Sequence, residues 1–144
     1  MSADAPNRSA EKRSEQRLQQ PLVRAGATFP RAARLLKHAD FDRVYKQGRR
    51  HFSSHMTVFY LRQAEGEARI GFTVGRVLGG AVVRNRIKRR LREAVRQRRS
   101  VLTDPVDVVV NPKKSVLKAE FPALLEEVSR AFDVIVRKIA EKSK

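Results

Sequence analysis

Apolar residues recur every three or four positions in three parts of the chain, which is the spacing of an amphipathic helix. The first part predicts a short helix over about residues 39–47, where Asp40 could cap the start and Gly48 could mark the end. The last part predicts a long helix over about residues 121–140. Between them, residues 84–99 form a predicted helix that is unusually basic.

Three other segments have the alternation or the β-branched runs that are typical of strands: residues 52–61, 69–74 and 106–110. The polar residues 63–68, with a central glycine, predict a hairpin connection between the first two strands. The resulting order predicts a small α/β sandwich, in which helices pack on one sheet. If the second and third strands are adjacent and parallel, the basic helix is their crossover, which general chirality rules make right-handed.

The basic helix carries the strongest chemical signal. Residues 84–99 contain nine basic residues and one acid, a balance of 9 − 1 = +8 in a chain whose net charge is +17. Like charges four residues apart destabilise a helix unless an external anion neutralises them, and the arginine fork suits phosphate. One face is nevertheless apolar, which predicts that the helix packs on a core. Its apolar stripe consists of Val83, Ile87, Leu91, Ala94 and Val95.

Composition narrows the class of protein and of partner. The 144 residues suit one domain, predicted over 34–141, and the polar residues 1–33 read as a disordered extension. A pI near 11.4 favours nucleic acid as the partner, with an anionic membrane surface as the second choice. The absence of cysteine excludes disulfides and thiolate sites. No apolar run suits a membrane span or a signal peptide, so a cytoplasmic location is expected.

Residue patterns of protein-borne catalysis are not visible. His51 and His55 lie four apart in a strand pattern, without an acidic cluster, so they do not predict a metal site. The pair Gly79-Gly80 before the basic helix could bind phosphate through backbone N–H groups, although this pattern is weak. Phe41 and Tyr45 lie one helical turn apart and are typical either of core packing or of a platform for unpaired bases.

Three segments resemble the protein subunit of bacterial ribonuclease P: F-D-R-V-Y-K-Q-G at 41–48, I-G-F-T-V at 70–74, and G-A-V-V-R-N-R-I-K-R-R-L-R-E at 80–93. The resemblance covers about residues 34–136. It implies a ribosomal-protein-like α/β sandwich with a small mixed sheet and a left-handed crossover through the basic helix, opposite to the general rule.

The same resemblance implies a function and its partners. The chain would be the non-catalytic protein subunit of a ribonucleoprotein endoribonuclease that removes the 5′ leader from precursor tRNA. One copy would bind each catalytic RNA, which carries the chemistry and holds most of the Mg²⁺, while the protein binds the leader and raises substrate affinity. The alternatives are a ribosomal RNA-binding or ribosome-assembly protein and, less favoured because no helix-turn-helix partner flanks the basic helix, a DNA-binding protein.

Matching by position also implies the site residues. Phe41 and Tyr45, with Phe59 as a weaker match, would line the leader cleft. The chain has Arg76-Val77 where the family commonly has paired lysines, and Gly80 at an Asn-like position, although Arg76 can still reach a phosphate. The predicted RNA-binding residues are Arg84, Asn85, Arg86, Lys88, Arg89, Arg92 and Arg76.

Overall fold

The computed structural model describes residues 28–143, which form four strands and three α-helices joined by short 3₁₀ turns. The strands make one mixed sheet of order β1-β2-β4-β3, in which only the β3/β4 pair is parallel. This confirms the predicted α/β sandwich with a small mixed sheet. In chain order the elements are α1 His38–Gln47, β1 Arg49–Phe52, β2 Met56–Arg62, β3 Arg69–Phe72, α2 Ala81–Arg98, β4 Val106–Pro112 and α3 Phe121–Ser143.

The folded domain begins upstream of the predicted boundary at residue 34. Phe29 is only 6% exposed, Ala33 is fully buried, and the Phe29 ring packs edge-on against Phe72 with the centroids 6.2 Å apart. The predicted boundary was late because a single aromatic residue in a polar segment gives no periodic signal. The predicted disordered extension up to residue 27 lies outside the described residues.

The strand β4 lies at the centre of the sheet, between β2 and β3. Its residues Val106–Val110 are all at most 1% exposed, so both faces of this strand are covered. A strand that is apolar on both faces belongs in the interior of a sheet. The predicted hairpin connection between β2 and β3 is therefore wrong, because β4 separates the two strands. The basic helix α2 connects the parallel neighbours β3 and β4, as a crossover; the left-handed sense stays a prediction.

The predicted strand over residues 52–61 is in fact two strands. β1 and β2 form an antiparallel hairpin in which Phe52 faces Thr57, and the Ser53 N–H donates to the Met56 carbonyl at 2.9 Å. The continuous alternation of the sequence hid this turn, because Ser53 and Ser54 are also compatible with a strand. The hairpin makes β1 the edge strand beside β2.

The two faces of the sheet have different helices on them. Val106, Val108 and Val110 of β4 point into the main core, which also contains the buried residues of α2 and α3. Val109 points the other way, since side chains alternate along a strand, and joins Leu35 and Val44 in a smaller cluster under α1. The basic helix and α1 therefore lie on opposite faces of the sheet.

The ends of α1 agree only in part with the prediction. Asp40 does not cap the helix: α1 begins after Lys37, and Asp40 is a buried residue of the first turn that pairs with Arg43 at 3.1 Å. Gly48 does end the helix, and its N–H donates to the Val44 carbonyl at 2.8 Å. A Cβ at Gly48 would lie 2.6 Å from two carbonyl oxygens, so the close approach of the backbone requires glycine.

Candidate nucleic-acid interface

The basic helix α2 is attached to the core by its apolar stripe. Ile87, Leu91, Ala94 and Val95 are fully buried, while Val83 is half-buried at the start of the helix. At about 100° per residue, Arg89 lies nearly opposite the centre of this buried stripe. Asn85, Arg86, Arg89 and Arg92 are all exposed. The predicted orientation of the helix is therefore confirmed.

Several arginines of α2 bind the protein itself. The Arg90 guanidinium donates to the carbonyls of Leu117 and Ala119 at 3.0 and 2.7 Å. Arg84, which was predicted to bind RNA, is half-buried and donates from Nε to the Gly79 carbonyl at 3.1 Å. These contacts hold the helix to the 3₁₀ turn that precedes α3 and to the turn that precedes α2.

The C-terminal half of α2 is also internally compensated. Arg96 Nε donates to Glu93 Oε1 at 3.0 Å, and this hydrogen bond lowers the pKa of the Glu93 carboxyl. Arg98 is only 8% exposed and donates to Ser129 Oγ of α3 at 2.7 Å; burial lowers the pKa of its guanidinium. The net charge of +8 on residues 84–99 therefore overstates how many of their cationic side chains are available to an external partner.

The remaining cations form an outward surface together with Asn85, and we call this surface the basic face: Arg76, Asn85, Arg86, Lys88, Arg89 and Arg92. Lys88 is half-buried and the others are exposed. Arg76 lies in the 3₁₀ turn Arg76–Leu78 before α2, beside Val77, which is 92% exposed. Within residues 28–143, no protein group makes a hydrogen bond or ion pair with the side chains of Arg76, Arg86, Arg89 or Arg92. These side chains can accept an external anion without breaking a contact of the fold.

The predicted cleft residues Phe41, Tyr45 and Phe59 lie together around the cluster under α1. The Tyr45 and Phe59 rings meet edge to face, with centroids 4.9 Å apart and planes at 81°. The Tyr45 hydroxyl donates to Asn111 Oδ1 at 2.8 Å and lies 2.6 Å from Thr73 Oγ1. The ring is therefore held in one orientation by β4 and by the residue that follows β3.

Phe41 packs more deeply than a free stacking platform would. Its ring lies over Gly71 of β3, where an added Cβ would be 2.6 Å from Phe41 Cζ and 3.0 Å from Leu35 Cβ. The half-buried ring thus anchors α1 to the sheet while part of it stays open. Of the two readings that the sequence left open, packing is confirmed for this residue, and its use as a platform for unpaired bases stays a prediction.

A buried charge network fixes α1 from below. Arg69 donates to both carboxylate oxygens of the fully buried Asp107, at 2.9 and 2.7 Å, and its Nη1 lies 3.4 Å from Asp40 Oδ2. The hydrogen bonds and charge of Asp107 raise the pKa of Arg69. Such a bidentate pair resists rotation of either side chain. The network gave no signal in the sequence, because Asp40, Arg69 and Asp107 lie far apart along the chain.

Sequence reasoning also missed Arg50 and Phe52 of β1. Arg50 pairs directly with Phe59 across the hairpin, and its guanidinium carbon lies 5.9 Å from the Phe59 centroid and 5.6 Å from the Phe52 centroid. Tyr45, Phe59, Arg50 and Phe52 thus form a continuous series of ring and guanidinium planes, which we call the aromatic row. In the sequence, Arg50 and Phe52 alternate as neighbours on one face of a strand do. That face could be identified only once the β1–β2 hairpin was known.

The turn after β3 connects the aromatic row with the basic face. Thr73, whose hydroxyl contacts Tyr45, precedes Arg76 by three residues, a separation of at most about 11 Å along an extended chain. The same turn continues into α2 at Ala81. The two surfaces lie in different layers of the fold, and Arg76 is the residue of the basic face that lies nearest along the chain to Thr73.

Two further properties bear on what the site can do. Across the described part of the chain, residues 28–143, no three His, Asp or Glu side chains converge so that they could hold a metal ion. In the same residues no helix is both long enough and apolar enough to cross a membrane.

Comparisons with known proteins agree with this geometry. The family model for ribonuclease P matches residues 29–136. The ribonuclease P protein component of Symbiobacterium thermophilum is 41% identical over 104 residues, covering 72% of this chain and 90% of the relative. That of Dictyoglomus thermophilum is 38% identical over 96 residues, covering 65% of this chain and 80% of the relative.

Solved structures show the same fold. The ribonuclease P protein of Staphylococcus aureus superposes with a TM-score of 0.63 at 27% identity, over 73% of this chain and 96% of that protein. The protein of Thermotoga maritima gives a TM-score of 0.62 at 27% identity, over 69% of this chain and 94% of that one. The sequence and structural matches together show that the chain belongs to the ribonuclease P protein family.

Proposed function

We propose that this chain binds the single-stranded 5′ leader of precursor tRNA on its aromatic side and the catalytic RNA through its basic face. As a family member it is the RNA-binding protein component of ribonuclease P, a ribonucleoprotein endoribonuclease of tRNA processing. The observation that carries the leader assignment is the Tyr45–Phe59 pair. Its rings are held by the sheet on the face that α1 leaves partly open.

The aromatic pair suits an unpaired strand rather than a duplex. Bases of a single strand can be splayed onto aromatic side chains, and each stacked base contributes about 1–3 kcal/mol. Tyr45 is oriented by Thr73 and Asn111, so little side-chain entropy is lost when a base stacks on it. A leader is single-stranded, whereas mature tRNA lacks this segment, so binding here favours the substrate over the product.

The basic face suits the phosphate backbone of the larger RNA. Arg86, Arg89 and Arg92 project from one side of α2, and arginine can grip a phosphate in two places. Each neutralised phosphate releases counterions, so binding should weaken steeply as salt rises. Cations between two RNA molecules also lower their mutual repulsion, which lets leader and catalytic RNA approach each other.

The chemistry would belong to the RNA subunit. We assign no magnesium ligand to the protein, because its described residues offer no converging set of carboxylate or imidazole groups. Magnesium held mainly by the RNA would supply the stabilisation of the attacking and leaving oxygens. The protein contributes binding and orientation of the leader, with one copy for each catalytic RNA.

Reconstitution tests this function. The purified chain, mixed with a bacterial ribonuclease P RNA at low magnesium, should stimulate cleavage of precursor tRNA strongly over the RNA alone. Wild-type protein that leaves the cleavage rate of the RNA unchanged would contradict the proposal. Protein heated until unfolded and then added serves as the control for nonspecific charge.

A further inference from the structure

We propose that Arg50 and Phe52 of the edge strand β1 form a second stacking site, which binds one more unpaired base and its phosphate. This inference rests on the proposed function, because it extends the leader path beyond the Tyr45–Phe59 pair. The ligand is an RNA nucleotide that lies further along the leader than the base on that pair.

The exposure of Phe52 is the first observation. Its side chain is 68% exposed, and it is the only aromatic residue among the exposed large apolar side chains within residues 28–143. A single exposed apolar residue needs no explanation by itself. Phe52, however, does not stand alone: the guanidinium of Arg50 lies 5.6 Å from its ring centroid, within the range of a cation–π contact.

The continuity of the aromatic row is the second observation. Arg50 lies between two rings, at 5.6 Å from Phe52 and 5.9 Å from Phe59, and Phe59 in turn meets Tyr45 at 4.9 Å. Arg50 and Phe59 are direct cross-strand partners, and Phe52 follows two residues later, so all three side chains lie on the same face of the sheet. A single-stranded RNA that runs from Tyr45 along this face of the sheet passes Phe59 and Arg50 and then reaches Phe52.

The local charge is the third observation, and it selects RNA as the occupant. No acidic residue occurs between Asp42 and Glu65, whereas Arg49 and Arg50 lie in β1 itself. A base can stack on the Phe52 ring while its phosphate meets the Arg50 guanidinium, because arginine combines a planar surface with phosphate-binding donors. An apolar protein partner would instead have to bury the Arg50 cation, which shares the face of Phe52, without a counter-charge.

The location at the sheet edge leaves room for such a ligand. β1 is the outermost strand beside β2, and α1 ends at Gln47, before β1 begins. No helix therefore covers Phe52, as its exposure also shows. The Phe52 ring is therefore open to an additional nucleotide.

The test uses the holoenzyme assembled from the full chain and a bacterial ribonuclease P RNA, with precursor tRNAs whose leaders increase in length one nucleotide at a time. Phe52→Ala should weaken binding roughly tenfold for long leaders, the effect of losing one stacked base. Short leaders that end on the Tyr45–Phe59 pair should bind the variant and the wild type equally. Phe52→Trp should restore binding, since it restores an aromatic plane.

Three outcomes would overturn the inference. Phe52→Ala could match wild type at every leader length while Phe59→Leu loses affinity; the second stacking site would then be absent and the proposed function would stand. Phe52→Ala could weaken mature tRNA as much as long-leader precursor, which would place the ring against another RNA segment. Finally, wild-type protein that fails to favour leader-bearing substrate would remove the proposed function and this inference with it. An unchanged melting temperature shows that each variant is folded.

Discussion

At the scale of single residues, neighbouring arginines of one helix have different tasks. Arg89 points away from the core and has no partner within the described chain, whereas Arg90 donates two hydrogen bonds to carbonyls of the turn before α3. Their sequence context is nearly the same. Their different positions relative to the buried stripe decide that Arg89 belongs to the basic face and Arg90 to the fold.

This difference predicts opposite effects for two adjacent substitutions. Arg89→Ala should weaken binding of the catalytic RNA without a change in melting temperature. It should also make the fall of log affinity with log salt less steep, by about 1 in the slope. Arg90→Ala should lower the free energy of unfolding by about 1–3 kcal/mol, because it leaves carbonyl groups unpaired. Titrations at several salt concentrations and thermal melts measure both. A lower melting temperature for Arg89→Ala than for Arg90→Ala would contradict this assignment.

His51 of β1 predicts a pH dependence of stability. Burial, and then the nearby Arg130 cation, lower the pKa of His51 in the folded protein below the ordinary histidine value of about 6.5. Below that value the unfolded chain binds a proton that the folded chain resists, so folding becomes less favourable as the pH falls. The wild-type melting temperature should therefore drop between pH 7.5 and 5.5, and His51→Gln should drop less. Equal slopes for the two proteins would show that His51 does not contribute.

At the scale of elements, the sheet acts as the frame that orients α1. The Phe41 ring rests on Gly71 of β3, and Asp40 reaches the Arg69–Asp107 pair beneath the helix. Tyr45 adds hydrogen bonds to Thr73 and Asn111. These contacts attach successive turns of α1 to β3, to β4 and to Thr73, which follows β3. They explain how a ten-residue helix can present rings in a fixed geometry.

Gly71→Ala tests this frame. The new Cβ would lie 2.6 Å from Phe41 Cζ and 3.0 Å from the Leu35 carbonyl oxygen, so α1 must move or Phe41 must leave its position. We expect a loss of about 1–3 kcal/mol in the free energy of unfolding, as for other overpacked sites. Urea unfolding measures it. Gly75→Ala, where nothing lies within 4 Å of the added Cβ, is the matched control and should unfold nearly as the wild type does.

At the scale of the whole molecule, the sheet separates the two surfaces that we propose to bind RNA. The basic face lies on α2, which packs on the main core, and the aromatic row lies on the opposite side of the sheet. The turn that carries Arg76 connects them. In the proposed function, the protein would contact two RNA segments at once, the leader on one side of the sheet and the catalytic RNA on the other.

The sequence was a good guide to this arrangement where local periodicity determines structure. The spacing of apolar residues predicted the apolar stripe of α2, the buried valines of β4 and the length of α3. Each of these features reflects which side of a single element is buried. Pairing between distant segments could not be read in the same way. Contacts between residues distant in sequence determine the position of β4 between β2 and β3 and the Arg69–Asp107 pair. The β1–β2 hairpin depends on an inconspicuous turn.

The same limit applies to the candidate site. Phe41, Tyr45 and Phe59 were found through a family resemblance, and the structure brings them together. Arg50 and Phe52 join them only through the β1–β2 register, and Arg84 proves to bind the Gly79 carbonyl. Which cations remain available to RNA is decided by tertiary hydrogen bonds that leave no pattern in the sequence.

The most direct test of the leader-binding account is the ratio of two dissociation constants of the reconstituted holoenzyme, that for mature tRNA divided by that for leader-bearing precursor. We predict a ratio well above one for the wild type. Phe59→Leu, which keeps an apolar side chain but removes the ring, should reduce that ratio by roughly a factor of ten by weakening the precursor alone. A ratio near one for the wild type, or an equal loss for both RNAs in Phe59→Leu, would contradict the account.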